Sequence, residues 1–249
     1  MLSGKSIRVS LLSFVSLLSL WQLGAFWADS RLFPPPLKVL EVLLESIDEG
    51  ELQYHIGHTM FRVALSFALS MMMGIGIGIA LGRSRPLDRF FDSWLTLFLN
   101  VPALVTIILC YVWLGLIEAA AVLAVAINKI PNVVVTIREG ARALERDYLE
   151  MAQSFRLSRY TVLRHIVLPQ LAPFLVATSR SGLALIWKIV LVVELLGRSN
   201  GVGFQLHLFF QLFDIASILA YTIAFVMLIQ ALEYGILQPL ERRVNRWRR

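Results

Sequence analysis

VALSFALSMMMGIGIGIALG, residues 63–82, is twenty residues long and carries no charge. A helix rises about 1.5 Å per residue, so such a run reaches about 30 Å, the thickness of a bilayer's hydrocarbon core. Gly74, Gly78 and Gly82 recur at intervals of four and fall on one face of that helix. With no side chains there, a second helix can approach closely. Gly76 adds a superficial likeness to a dinucleotide-binding loop. That loop needs a strand before it and a helix after it, and neither pattern flanks this run. The stretch reads as a transmembrane helix.

The rest of the chain repeats the pattern. Val9 to Ala28 is uncharged, with Lys5 and Arg8 ahead of it. A signal peptide is the rival reading, but its apolar region would be about 7–15 residues long and end at a small-residue cleavage site. This run is longer, holds Trp21 and Trp27 near its far end, and meets Asp29 without such a site. Ser93 to Ile117 is uncharged and interrupted by Asn100 and Pro102, and Glu118 alone separates it from Ala119 to Ile137, so the two are expected to form an antiparallel hairpin. Leu171 to Val193 and Ile215 to Leu232 complete the set, the last extending to about Leu237. The expectation is an all-α membrane protein with a single transmembrane domain over residues 1–249. Its six spans fall at about 9–28, 60–82, 93–117, 119–137, 171–194 and 215–237.

Composition agrees. Apolar residues make up 57% of the 249, charged residues 16%, and mean hydropathy is +0.71. A soluble domain carries about 25% charged residues, and disordered chains are poor in apolar ones, so both classes are excluded. Cys110 is the single cysteine, which excludes an intrachain disulfide and assigns it to packing. The net charge of +6 raises the question of nucleic acid, but its distribution answers it. With six spans, both termini share one side with sixteen of the 23 Lys and Arg, including the tail Arg242, Arg243, Arg246, Arg248 and Arg249; only Arg31, Lys38 and Arg198 fall opposite. Positive charge marks the cytoplasmic face, so both termini are expected inside, in a multi-pass inner-membrane protein with no nucleic-acid partner.

Two connections are long. After Phe33-Pro34-Pro35-Pro36, the residues Leu37, Leu40, Leu43, Leu44 and Ile47 recur at helical spacing and predict a short amphipathic helix ended by Gly50. In residues 138–170, Ala141, Leu144, Tyr148, Met151, Ala152 and Phe155 form a second apolar stripe. A break near Arg156-Leu157 follows, and Ser158 can cap a short helix from Arg159 to His165. This predicts a helix-turn-helix across the cytoplasmic ends of the spans. It is either a surface connector or a docking element.

Within it, Glu150-Met151-Ala152, three residues, Arg156, nine residues, then Ile166-Val167-Leu168-Pro169 resembles the cytoplasmic signature of bacterial ABC importer permeases. That signature reads Glu-Ala-Ala, Gly, Ile-x-Leu-Pro at the same spacing. Arg156 replaces the family glycine. A left-handed residue there would cost about 1–2 kcal/mol without glycine, so the turn is expected either to be built differently or to be offset by an Arg contact. Leu32-Phe33-Pro34-Pro35-Pro36, Gly82-Arg83-Ser84-Arg85, Glu194-Leu195-Leu196-Gly197 and Gly201-Val202-Gly203 resemble the nitrate/sulfonate/taurine branch, over about residues 32–240.

The resemblance implies the type I importer permease fold. It implies two permease copies forming the pathway, a cytoplasmic ATPase dimer and an extracytoplasmic binding protein. ATP and Mg belong to the ATPase, so this chain holds no cofactor and catalyses nothing itself. Gly4-Lys5-Ser6 lacks the rest of a phosphate loop and reads as a basic flank. ATPase coupling falls to Glu150, Met151, Ala152, Phe155, Arg156, Ile166, Leu168 and Pro169. The implied solute is small and polar or anionic, such as a sulfonate, taurine, nitrate or a thiamine precursor.

Ionisable and polar residues inside spans point to a pathway, because burying them in lipid costs several kcal/mol. Asn100, Asn128, Lys129, Lys188 and Glu194 are the candidates. Lys129 and Lys188 either line the pathway or make structural contacts. Glu194 is placed at the outer gate or at the binding-protein contact. Asn100 with Pro102 kinks the third span, at the pathway or simply in packing. Trp187 reads as packing between spans. His55 and His58 lie three apart without a third ligand, so no metal site is expected. The alternative function is an ion-coupled secondary transporter using Lys129, Lys188 and Glu194. That class often shows inverted repeats, which are not visible here.

Overall fold

In lipid, a backbone must close its own hydrogen bonds, and helices do so within each segment. The computed structural model describes residues 4–28, 30 and 32–239, and every regular element among them is helical. The helices are α1 (Gly4–Ala28), α2 (Pro36–Asp48), α3 (Glu51–Arg83), α4 (Arg85–Asn100), α5 (Ala103–Leu114) and α6 (Glu118–Arg142). They continue with α7 (Arg146–Ser154), α8 (Arg159–Val162), α9 (Leu168–Gly197), α10 (Val202–Gln211) and α11 (Ile215–Leu232). Asp29, Arg31 and the basic tail from Glu241 to Arg249 lie outside the described residues, as do the side chains of Lys5, Arg8 and Arg146.

The glycine stripe finds its partner in α6. A Cβ on Gly74 would sit 2.5 Å from Val133 Cβ, one on Gly78 2.8 Å from Ile137 Cβ, and one on Gly82 2.5 Å from Ala141 Cβ. Both series advance by four in the same direction, so α3 and α6 run parallel with their backbones in near contact. Buried Ser66 and Ser70 continue the stripe of small residues. α9 runs antiparallel to α6: Gly140 faces Leu171 and Phe174, and Gly182 faces Lys129. α6 returns beside α5 after a turn at Gly115, whose φ of 82° is left-handed. The largest apolar core, with Ile107, Tyr111, Val125, Ile186, Val190 and Tyr221, gathers α5, α6, α9 and α11.

Among the described residues, four helical segments are long and apolar enough to cross a membrane: Glu51–Arg83, Glu118–Arg142, Arg159–Gly197 and Ile215–Leu237. Leu12–Ala28 is a shorter apolar helix. The third span breaks where Asn100 and Pro102 interrupt it, and the break is larger than a kink. α4 and α5 meet at 94°. Pro102 disfavours helix at the residue before it, and Val101 is extended at φ −69°, ψ 123°. α4 begins at Arg85, well before Ser93, and presents one polar and one apolar face.

Two local details follow. α2 buries Val39 and Leu43 against α11, while Leu37, Leu40, Leu44 and Ile47 stay exposed. The helix from Arg159 does not stop at His165. It widens to π register over Leu163–Val167 and continues into α9. Pro169 cannot supply the N–H that would bond the carbonyl of His165 in an α-helix. The wider turn carries the chain past it, with the Leu168 N–H bonding the Leu163 carbonyl.

Candidate functional site

Functional side chains collect at three levels of the bundle. At the Arg142 end of α6, Arg138 bonds Asp92 at 2.7 Å and Asp88 at 3.2 Å, and Arg142 pairs with Asp88 and with Glu139 at 2.9 Å. These ties fix α4 to α6 below the connection into α7. The Glu145 N–H donates to Gln170 Oε1 at 3.0 Å, which joins the start of α7 to the start of α9. α7 closes on a Schellman turn. The Leu157 N–H reaches the Ala152 carbonyl at 2.9 Å and the Arg156 N–H reaches the Gln153 carbonyl at 3.0 Å. Arg156 occupies the left-handed position at φ 51°. The turn is therefore built as glycine would build it. Among the described residues its guanidinium has no ion-pair or hydrogen-bond partner, so neither expected course is taken. Ser158 caps the next helix, accepting from the Thr161 N–H at 3.1 Å.

The signature residues divide into two sets. Ala152 and Ile166 are buried and seat the segment on the bundle. Glu150, Met151, Phe155, Arg156, Leu168 and Pro169 are exposed, and Phe155 is 74% exposed. Tyr148, Met151 and Phe155 fall at helical spacing and, with Tyr160, leave an apolar face open.

At mid-bundle, Asn128 Nδ2 donates to the Ala124 carbonyl (3.0 Å), Asn132 Nδ2 to the Asn128 carbonyl (3.4 Å) and Thr136 Oγ1 to the Asn132 carbonyl (3.1 Å). The three form a polar ladder along α6 that is open or half-open. Pro131 lies inside the same helix and leaves the Ile127 carbonyl without its usual donor. A polar stripe on a spanning helix belongs against water or protein, not lipid. Lys129, the next residue and about 100° round the helix, turns from the edge of this ladder toward α9. It is 2% exposed and packs on Gly182 of α9, where a Cβ would come within 2.9 Å of its Cε. Asn100 sits at the α4–α5 break and donates to the Thr96 carbonyl at 2.7 Å. Lys188 is exposed and borders a cavity of ≈ 410 Å³ between α9, α10 and α11, shared with Gln230 and Glu233. Arg180 pairs with Glu233 at 2.8 Å. Trp187 packs edge-on against Phe225.

At the Glu118 end, α3, α6, α9 and the loop before α10 meet on one guanidinium. Arg62 is 1% exposed and bonds Glu194 at 2.7 Å, Glu118 at 2.6 and 2.9 Å, the Asn200 carbonyl at 2.9 Å and the Asn200 side chain. Glu194, 0% exposed, also accepts from Thr59 Oγ1 at 2.9 Å and from the Gly203 N–H at 2.9 Å. Arg198 bonds Glu118 at 2.8 Å. His55 Nδ1 accepts from the Gly201 N–H at 3.0 Å, and its Nε2 lies 2.7 Å from Gln205 Nε2. Side chains on Gly201 and Gly203 would collide with Glu194 and with the Leu191 carbonyl. The structure thus brings Glu194 to Arg62 and sets it apart from Lys129 and Lys188. Sequence reasoning left Arg62 at the edge of a span. Its partners lie 56 and 132 positions away, so no local pattern marked it.

Residues 57–246 match the family described as binding-protein-dependent transport system inner membrane component. The chain is 31% identical to the aliphatic sulfonates transport permease SsuC of Escherichia coli, over 76% of this chain and 73% of that protein. It is 27% identical to the taurine transport system permease TauC of Escherichia coli, over 98% and 90%. It is 28% identical to the nitrate import permease NrtB of Synechocystis, over 81% and 76%. Its fold resembles an inward-facing structure of the MetNI methionine ABC transporter at a TM-score of 0.62 and 16% identity, over 75% of this chain and 94% of that one.

Proposed function

We propose, from the premise that the chain belongs to the family of binding-protein-dependent transport system inner membrane components, that it is the permease subunit of an ATP-driven importer working by alternating access. The observation that carries this reading is the open face of Tyr148, Met151 and Phe155 on α7, beside Glu150 and Arg156. A short helix that is tied to the bundle and apolar on its free side suits a soluble partner that must push on it. The partner is a cytoplasmic ATPase dimer, which carries ATP and Mg, so this chain is a non-catalytic subunit. The Arg142 end of the bundle and both termini face the cytoplasm on this reading, in keeping with the bias of Lys and Arg.

Two copies of the chain enclose the pathway. Asn128, Asn132 and Thr136 on α6 line it, with Asn100 at the helix break and with Lys129 and Lys188 as its cationic groups. Glu194 and the Arg62 network brace the outward end, where an extracytoplasmic binding protein delivers the solute. The names of the relatives, which cite sulfonates, taurine and nitrate, support a small anionic solute.

The test is co-purification with an ATPase chain and uptake into vesicles. Glu150→Arg with Phe155→Ala is expected to abolish ATPase association while leaving the permease folded. Retained association and uptake would refute the docking assignment. Uptake driven by an ion gradient without ATP would favour a secondary transporter.

A further inference from the structure

Lys129 presents a physical anomaly. Its side chain lies between α6 and α9, 2% exposed, and among the described residues it has neither an ion-pair nor a hydrogen-bond partner. Burying a cation without a counter-charge costs several kcal/mol. The fold shapes itself around this group instead of excluding it. Gly182 lacks the Cβ that would come within 2.9 Å of Lys129 Cε and 3.5 Å of its Nζ. One turn before Gly182, on the same face of α9, Thr178 is 1% exposed, and its Oγ1 has no hydrogen-bond partner. An unpaired lysine, 2% exposed as a residue, and a buried hydroxyl with no partner therefore lie on facing helices, with Lys129 packed onto Gly182. The next residue along the chain, Asn128, stands on the open polar ladder of α6.

We propose that Lys129 and Thr178 form an intramembrane station for the anionic head of the transported solute, a small oxyanion such as a sulfonate or nitrate. The ammonium supplies the charge and the hydroxyl a second hydrogen bond. The proposal rests on the permease reading. It adds that charge selection occurs within this chain as well as in the binding protein. Lys188, exposed beside Glu233, lacks this enclosure and is not part of the station.

The experiment uses the permease–ATPase complex in nanodiscs, titrated with ethanesulfonate, taurine and nitrate, with neutral dimethyl sulfone as control. Saturable thermal stabilisation by at least one anion, and none by the sulfone, is expected for the wild type. Lys129→Met is expected to weaken that anion about 10- to 100-fold, the range of a charged hydrogen bond. Thr178→Val is expected to weaken it several-fold, and Lys129→Arg to retain part of the binding. Without anion, Lys129→Met and Thr178→Val should melt at or above the wild-type temperature, since the first removes an unpaired charge from a nearly buried residue and the second a buried hydroxyl with no partner. A merely structural lysine would give the opposite shift.

The proposal is overturned if no anion binds the wild type, if Lys129→Met binds equally well, or if Lys129→Met melts markedly lower without ligand. It is also overturned if uptake of the bound anion survives Lys129→Met unchanged, which would make the site one outside transport. In any of these cases a complex that still assembles and hydrolyses ATP leaves the permease reading standing. Failure to assemble with an ATPase would refute that reading itself.

Discussion

Removing Arg62 tests the energetic logic of the Glu118 end. Arg62→Met leaves Glu194 fully buried with two remaining donors, Thr59 Oγ1 and the Gly203 N–H. Two neutral donors do not replace a guanidinium, and stranding a buried charge costs about 3–5 kcal/mol. Glu194→Gln is milder. Arg62 keeps both Glu118 bonds and Asn200, and the amide oxygen of glutamine can still accept from Gly203. Its expected cost is about 1–3 kcal/mol. In the double variant no charge is stranded in the interior. Glu118 is 41% exposed at its side chain and keeps Arg198 at 2.8 Å. The double variant should therefore fall short of the sum of the singles by at least about 1.5 kcal/mol, a coupling within the range for contacting groups. Unfolding titrations of the purified protein in mixed micelles measure all three. The reasoning fails if Arg62→Met lies within about 0.5 kcal/mol of wild type, the range of an unremarkable surface change, or if the two substitutions add.

Three further outcomes follow from the geometry. Arg156→Gly should stabilise the turn by up to about 1 kcal/mol, because relief of the left-handed strain exceeds the added chain entropy, while Arg156→Val should lose about 1–2 kcal/mol; protease protection at Phe155–Ser158 reads both. Gly78→Leu should cost about 1–3 kcal/mol by driving α3 from α6, whereas Gly76→Leu, with open space around it, should stay within about 0.5 kcal/mol in the same unfolding assay. Asn132→Leu with Thr136→Val should reduce vesicle uptake several-fold while stability changes by less than about 1 kcal/mol, since the open ladder bonds only its own helix.

Much of the fold was legible in the sequence because lipid imposes one dominant rule. The uncharged run at 63–82 could be little else than a helix, and Gly74, Gly78 and Gly82 announced a close neighbour. Ser158 as a cap and the break at Arg156 were local facts, readable from a few adjacent residues. The break in the third span at Asn100 and Pro102 was legible, but its angle was not, because composition is blind to direction. Ser93–Ile117 has the same apolar content straight or bent, and the 94° turn depends on Pro102 acting on Val101. Which face of α2 packs was likewise not legible: Val39 and Leu43 are buried while Leu37, Leu40, Leu44 and Ile47 stay exposed. In a membrane protein, exposed leucines are ordinary, and the face that packs need not be the most apolar one.

The candidate residues divide in the same way. Residue type alone marked Lys129, Glu194 and the Glu150–Pro169 segment, since charges in apolar runs and a spaced signature stand out along the chain. Which of them act together was decided only in three dimensions. Asn128 and Lys129 are neighbours in sequence, yet helix geometry turns one onto an open ladder and the other into the bundle against Gly182. Glu194 joins Arg62 across 132 positions, and no local pattern encodes that pairing. By itself the sequence determined where the chain meets lipid and which residues lipid will not tolerate. The packing of α3, α6 and α9 decided which of those residues find a counter-charge inside the fold and which, like Lys129, are left to find one elsewhere.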